Sequence, residues 1–153
     1  MRKIMIAALA VMLLLTACGR PQSSDPAPIG AAEGERVLRL AEAAEAEKDG
    51  VQLKIDRFEA GVLSIRLINH SGESWYYGES FRLFRRSGED SWNAIPDDRS
   101  WIMIANELMD GGEVHLDLDL SPLTLEPDTY LLARDGFELP FRLIAVLKDS
   151  FDR

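Results

Sequence analysis

The feature that most constrains the fold is a strict alternation of apolar and polar residues late in the chain. Over residues 114–120, valine or leucine occupies every second position, with histidine or aspartate between them. Successive side chains of a β-strand point to opposite faces of a sheet, so this period gives a strand one buried face and one wet face. This pattern predicts antiparallel sheet in this part of the chain.

The same period predicts a β-hairpin upstream. Residues 51–55 and 63–67 alternate in the same way, and Glu59-Ala60-Gly61 supplies the turn between them. Asp135-Gly136 separates two further apolar runs. Other short strands are predicted over residues 81–83, 92–95, 130–133 and 139–146. About seven strands with regular turn signals predict an all-β fold, an antiparallel β-sandwich over residues 51–147.

Residues 35–50 interrupt this alternation. The segment is rich in alanine, glutamate and leucine, which favour helix. Val37, Leu40, Ala41 and Ala44 recur at helical spacing, and Gly50 is suited to a helix end. We expect a helical connector over residues 35–50, with a strand beginning at Val37-Leu38 as the alternative.

The N-terminus has the organisation of a secretory signal. Arg2 and Lys3 precede an unbroken apolar run from Ile4 to Leu15, and small residues follow it. A run of this length is too short to span a bilayer, which needs about 20 residues. We therefore expect residues 1–17 to be a cleaved signal peptide.

The single cysteine of the 153-residue chain follows this run directly. Leu15-Thr16-Ala17-Cys18 resembles the bacterial lipobox, which implies attachment of diacylglycerol to Cys18 and a lipid bilayer as partner. The alternative is an ordinary secreted protein with a chance cysteine at this place. The resemblance predicts an extracytoplasmic, membrane-anchored protein, and Gly19 leaves an outer membrane open where the cell has one.

Residues 18–34 are expected to be a flexible tether behind the lipidated cysteine. They hold three prolines and several small residues, and almost nothing large and apolar. Residues 148–153 are expected to form a C-terminal tail. Cleavage would remove Arg2 and Lys3 and change the formal charge from −9 to −11. Such an acidic chain is not expected to bind nucleic acid, and no cofactor motif is present.

A series of short motifs runs from Leu67 to Phe141. They are Leu67-Ile68-Asn69, the run from Tyr77-Gly78 to Phe81-Arg82-Leu83, Trp92 with Ile95-Pro96, Gly112-Glu113, and Leu125 to Tyr130 with Pro127. Together they resemble a family of bacterial immunoglobulin-like domains found in secreted lipoproteins. Asp128 stands where that family has glycine, and Gly111 where it has proline.

The resemblance implies an immunoglobulin-like sandwich and a surface location, without catalytic residues. It implies that the Tyr130 hydroxyl ties a loop to the backbone, and that Phe81 and Trp92 fill the core. A non-catalytic binding or spacer domain, with an unknown envelope protein or glycan as partner, is the function we expect.

Few side chains suggest chemistry. His70 and His115 fit no metal motif and are expected to be solvated, so no metal site is predicted. Carboxylate pairs could serve a hydrolase or bind Ca²⁺, and that alternative rests on Asp97, Asp98, Asp117 and Asp119. It requires two of them to converge in a pocket with perturbed pKa values.

Two aromatic segments are candidate partner contacts, residues 74–77 and 100–104. In a strand, Trp75 and Tyr77 point one way and Tyr76 the other, so one set belongs to the core. Exposed Trp75, Tyr76 or Trp101 would favour an accessory subunit of a secreted complex or transporter. Arg82, Arg85 and Arg86 could form an anion patch, although a solvated strand face explains them as well.

Overall fold

The computed structural model describes residues 35–148. The predicted signal peptide, Cys18, the tether and residues 149–153 lie outside the described residues. Residues 35–148 contain no helix long and apolar enough to cross a membrane. They form eleven strands: β1 (Arg36–Leu40), β2 (Ala44–Lys48), β3 (Val51–Glu59), β4 (Val62–Asn69), β5 (Trp75–Tyr77), β6 (Arg82–Arg86), β7 (Trp92–Ala94), β8 (Asn106–Leu108), β9 (Glu113–Asp119), β10 (Asp128–Arg134) and β11 (Phe137–Leu147).

Two larger antiparallel sheets and a two-stranded ribbon make up the domain. One sheet has the order β1-β11-β10-β6-β7, the other β2-β3-β4-β9, and β5 pairs with β8 to form the ribbon. The predicted all-β antiparallel sandwich is confirmed. The strand count exceeds seven because β2, β5 and β8 were not predicted as strands and β1 was predicted only as an alternative.

The hairpin predicted over residues 51–67 is confirmed, and the two strands predicted on either side of Asp135-Gly136 form a second hairpin. A two-residue turn joins β3 to β4, with φ of 49° at Ala60 and 82° at Gly61. Another joins β10 to β11, with φ of 48° at Asp135 and 81° at Gly136. Positive φ at both central positions gives the twist that closely paired strands need, and glycine adopts it without steric cost.

The predicted helical connector over residues 35–50 is wrong, and the alternative, a strand that includes Val37-Leu38, is found as β1. β1 pairs with β11 in one sheet, and β2 pairs with β3 in the other, so this segment crosses between the sheets. Leu38, Leu40, Ala44 and Ala46 pack against the core. Edge pairing and burial outweigh a weak helical preference, because a short helix with so small an apolar face has little stability of its own. The sandwich therefore begins at Arg36 and not at Val51.

The core lies between the facing sides of the two sheets. Alternate residues of β3, β4, β10 and β11 supply most of its buried side chains. The Tyr130 hydroxyl donates to the carbonyl oxygen of Glu126 (2.8 Å) and accepts from the N–H of Glu126 (3.0 Å), so its predicted tie to the backbone is confirmed. Phe81 is buried as expected.

Trp92 does not fill the core, so that prediction is wrong. It lies half-buried on the three-residue edge strand β7, directly opposite Arg86 of β6. Directly opposed residues share one face of a sheet, and Arg86 lies on the exposed face. Trp92 therefore lies on that outer face as well.

The domain has two distinct ends along β11. At one end Arg36 pairs with Leu147, and the N–H of Lys148 donates to the carbonyl oxygen of Glu35 (2.8 Å). At the other end lies the Asp135-Gly136 turn. Eleven extended residues separate them, a span of about 35 Å at the usual strand rise. The described chain therefore begins at the end of the sandwich opposite that turn.

Candidate functional site

The β5–β8 ribbon is held to the sandwich by buried polar side chains. Asn69 (0% exposed) and Arg134 (5% exposed) are the buried polar or charged residues within 35–148. The Asn69 amide donates to the carbonyl oxygens of Glu73 (2.7 Å) and Leu108 (2.9 Å) and accepts from the N–H of Ser71 (2.9 Å). Asn69 thus shapes the loop that leads into β5 and fixes the end of β8.

A second anchor holds the other end of β5. Arg134 forms an ion pair with Asp135 (2.9 Å) and donates to the carbonyl oxygen of Gly78 (2.7 Å). The Asp135 carboxylate accepts from the N–H of Gly78 (2.9 Å). Both backbone groups of Gly78 are therefore bound, and this end of the ribbon is fixed to the β10–β11 turn.

The ribbon has an inner and an outer face, as the spacing of its aromatic residues predicts. Trp75 and Tyr77 pack against the core, and the Trp75 ring lies 6.2 Å from the Phe137 ring. The Trp75 Nε1 is the one buried side-chain nitrogen or oxygen of the described residues without a hydrogen-bond partner. Tyr76, opposite Glu107, points outward and is exposed.

Trp101 lies in the segment that connects β7 to β8. Its ring packs 5.0 Å from that of Phe81, and the Arg99 guanidinium lies over both rings, 5.0 Å from Phe81 and 5.1 Å from Trp101. Arg99 also donates to the Asp97 carboxylate (2.8 Å) and to the carbonyl oxygen of Asp119. Trp101 is therefore half-buried in a cation–aromatic stack.

Two open clefts border this stack. The larger has a volume of about 850 Å³, and its apolar lining includes Phe81, Leu83, Ile95 and Phe137. The smaller, of about 470 Å³, shares Phe81, Arg99, Trp101 and Arg134 with the first. The two shared arginines are already paired, Arg99 with Asp97 and Arg134 with Asp135. Neither arginine is therefore an unpaired cation for a ligand.

Three of the four candidate aspartates are engaged by separate partners. Asp97 pairs with Arg99, Asp117 accepts from the Ser64 hydroxyl (2.6 Å), and Asp119 accepts from the Ser121 hydroxyl (2.6 Å). Asp98 is exposed. Asp117 and Asp119 both line the smaller cleft. Among residues 35–148, no group of three or more metal-ligating side chains is arranged to hold an ion.

The electrostatics of two of these aspartates do not suit proton donation. The side-chain hydrogen bond from Arg99 lowers the pKa of Asp97, and that from Ser121 lowers the pKa of Asp119. A carboxyl group that donates a proton near neutral pH needs a raised pKa. Asp97 and Asp119 therefore remain ionised at neutral pH.

The remaining polar candidates lie on the surface. His70 and His115 are exposed as predicted, with His115 Nε2 2.9 Å from the Glu113 carboxylate. Arg85 pairs with Asp128 (2.6 Å) and Glu126 (2.9 Å), and Arg86 donates to backbone carbonyls of the β6–β7 turn. Arg82 is exposed. Two of the three arginines are thus occupied by groups of this chain.

Exposed apolar side chains concentrate at the ribbon. The large hydrophobic residues exposed within 35–148 are Tyr76 (62%), Ile102 (66%), Met103 (94%), Ile104 (49%), Met109 (69%) and Leu147 (59%). All but Leu147 belong to the ribbon or to the residues that enter and leave β8. We call these five residues the ribbon surface.

Of these five residues, Tyr76 is predicted individually as a contact, Ile102, Met103 and Ile104 are predicted only as members of the segment 100–104, and Met109 is not predicted. The unbroken apolar run over residues 101–104 was a usable signal, because it cannot satisfy the two-residue period of a half-buried strand. It did not indicate which of its members face solvent. Comparisons with protein-family models, with curated proteins and with solved structures found no match to this chain.

Proposed function

We propose that the mature protein is an extracytoplasmic lipoprotein, anchored through acylated Cys18, whose immunoglobulin-like domain is a non-catalytic binding module. The apolar run before Leu15-Thr16-Ala17-Cys18 supports the anchor. Acyl chains on one residue suffice for stable attachment, since each buried methylene contributes about 0.8 kcal/mol.

One observation carries the binding role. The large apolar side chains that the domain exposes are gathered almost entirely on the ribbon surface. Scattered exposed apolar residues need no explanation, but grouped ones mark sites of interaction. This grouping favours a binding module, such as an accessory subunit of an envelope complex, over a pure spacer.

The layout of the domain supports presentation of this surface at the end away from the start of the described chain. Gly78, at the end of β5, is bound to the Asp135-Gly136 turn, whereas the described chain begins at the opposite end of β11. A flexible tether of the length of residues 18–34 has a root-mean-square span of about 20–25 Å. The described chain therefore enters the sandwich at the end opposite the ribbon, and the proposed tether would join it there.

The state of the carboxylates supports a non-catalytic role. The hydrolase alternative requires two aspartates that converge in a pocket with perturbed pKa values, and the one that donates a proton must have a raised pKa. Arg99 instead lies between Asp97 and the backbone of Asp119, and the pKa of both carboxyl groups is lowered. We do not propose hydrolysis for this reason.

The test of the anchor is a Cys18→Ala variant, followed by cell fractionation and metabolic labelling with a fatty acid. We expect the label to be lost and the protein to leave the membrane fraction. Ser23→Ala, a matched change in the tether, should leave both unchanged. Unaltered membrane association and labelling of Cys18→Ala would contradict the proposal.

A further inference from the structure

We infer that the ribbon surface binds a partner protein that presents apolar side chains bordered by lysine or arginine. This inference deepens the proposed binding function. It concerns the outer face of the β5–β8 ribbon together with the entry and exit of β8.

The exposed apolar side chains lie on and directly beside the two paired strands of the ribbon. Tyr76 lies on β5 opposite Glu107 of β8, Ile104 lies two residues before β8, and Met109 follows it directly. Met103 is almost fully exposed. Methionine side chains are flexible and polarisable, and they are common where a surface must adapt to an apolar partner.

The way in which the ribbon is held to the sandwich favours binding. Asn69 of β4 and Arg134 of β10 fix it through hydrogen bonds to the carbonyl oxygens of Leu108 and Gly78. Within the segment that enters β8, the N–H of Ile104 donates to the carbonyl oxygen of Ile102 (2.9 Å). A surface held in place before contact loses less conformational entropy on association, which favours affinity.

The charge around the ribbon surface identifies the chemistry of the partner. Residues 71–81 and 100–112, which contain the ribbon and its flanks, hold Glu73, Glu79, Glu107 and Asp110 but no lysine or arginine. Arg82 and Arg99 lie directly beyond these ranges and line the larger cleft with Met103, and Arg99 is paired with Asp97, so the four carboxylates outnumber the single unpaired arginine. Complementary charges speed encounter and select partners, whereas like charges facing each other are costly. This disfavours a second copy of the chain and an anionic bilayer as occupants, and it favours a cationic border.

The test uses the full chain with Cys18→Ala, so that no lipid is attached, and two fluorescent amphipathic peptides. Both peptides carry the same leucine and tryptophan positions, and their polar positions are all lysine in one and all glutamate in the other. Binding is measured by fluorescence anisotropy. We expect the lysine peptide to bind at least tenfold more tightly than the glutamate peptide.

Paired variants locate the binding. Met103→Ser with Ile104→Ser should weaken binding of the lysine peptide at least tenfold, whereas Leu147→Ser should leave that binding unchanged. Glu107→Lys with Asp110→Lys should reverse the preference between the peptides. Glu45→Lys with Glu59→Lys makes the same charge change on the four-stranded sheet and should leave the preference in place. The thermal midpoint of each variant confirms that it is folded.

Several outcomes would overturn the inference. They are equal binding of the two peptides, binding that ignores the serine variant, and a preference that Glu45→Lys with Glu59→Lys reverses equally well. Self-association in sedimentation velocity that the serine variant abolishes would assign the surface to a second copy. Co-sedimentation with vesicles of phosphatidylcholine and phosphatidylglycerol that this variant abolishes would assign it to a bilayer. Because this protein carries no lipid, failure here leaves the anchor proposal standing, and failure of the anchor test leaves this one standing.

Discussion

Two solvent-facing surfaces of this domain differ in how their charged side chains are paired. On the outer face of the four-stranded sheet, Arg66 lies between Asp56 (2.7 Å) and Glu113 (3.4 Å), and Lys54 pairs with Glu45 (3.1 Å). On this face, charged side chains meet partners from neighbouring strands of the same sheet.

The ribbon surface lacks such compensation. The buried polar contacts that hold the ribbon are made by Asn69 and Arg134, and on its exposed side the Asp110 carboxylate accepts from the N–H of Gly72 (2.9 Å). Residues 71–81 and 100–112 carry four carboxylates and no lysine or arginine, with Arg82 and Arg99 directly beyond them. This difference indicates where a partner protein would gain most binding free energy. Charged side chains of the sheet face are paired within the chain, whereas the ribbon surface exposes apolar side chains and carboxylates that a partner could contact.

The largest effect on stability is expected when the buried ion pair between Arg134 and Asp135, which anchors the ribbon, is broken. Asp135→Asn removes the charge opposite Arg134, while asparagine tolerates the left-handed conformation found at this position. We expect a loss of about 3 kcal/mol in the free energy of unfolding, because an uncompensated charge stays buried. Urea denaturation measures it.

The matched control for that prediction lies on the sheet face. Asp56→Asn removes the partner of Arg66 in a partly exposed pair. This substitution should lower the free energy of unfolding by less than about 1 kcal/mol, because water screens ion pairs that are partly exposed. Equal losses of unfolding free energy for Asp135→Asn and Asp56→Asn would show that the buried pair contributes no more than the exposed one.

A smaller effect is expected at the other anchor. Asn69→Ala deprives the carbonyl oxygens of Glu73 and Leu108 of a donor. We expect a destabilisation of about 2 kcal/mol, together with faster amide hydrogen exchange in β5 and β8 than in β3 and β4. Uniform acceleration across all four strands would show that Asn69 does not hold the ribbon in particular.

The segment that leads into β8 should confer a pH dependence. Since Arg99 lowers the pKa of Asp97, the folded form binds this proton less readily than the unfolded chain. Stability from this pair is fully present above the unfolded pKa, near 4, and is lost as pH falls through the lower folded pKa. Asp97→Asn should show a shallower decline of stability below about pH 4 in acid titration followed by tryptophan fluorescence. An unchanged slope would contradict the role of Asp97.

The smallest effect on stability is expected at the ribbon surface itself. Met103→Ser should change the free energy of unfolding by no more than about 0.5 kcal/mol, because Met103 is almost fully exposed. It should reduce retention on a hydrophobic-interaction column. A loss above about 1 kcal/mol would mean that Met103 packs in the folded protein.

Period-two alternation predicted the sandwich because it reports burial directly. Residues 51–67 and 114–120 each bury one face, so their sequence contains the information that fixes them as strands. Residues 35–50 were mistaken for helix because their strand state depends on β3 and β11, which lie elsewhere in the chain. Local propensity contains no record of that pairing.

The candidate site was predictable only in part. The two-way orientation of Trp75 and Tyr76 follows from strand geometry and was anticipated. The pairing of β5 with β8 joins segments about thirty residues apart, and the apolar run over residues 101–104 has no period that separates buried from exposed members. Likewise, Trp92 was assigned to the core by its size, although its strand is an edge strand.

Site-specific photo-crosslinking of the full chain in its own cells tests most directly whether the ribbon surface binds a partner protein. A photoreactive side chain is placed at position 103 on the ribbon surface or, as control, at the exposed position 57 of the four-stranded sheet. We expect a discrete protein adduct from position 103 and none from position 57. The Glu107→Lys, Asp110→Lys variant should no longer form this adduct. Equal adducts from both positions, or an adduct from position 57 alone, would contradict it.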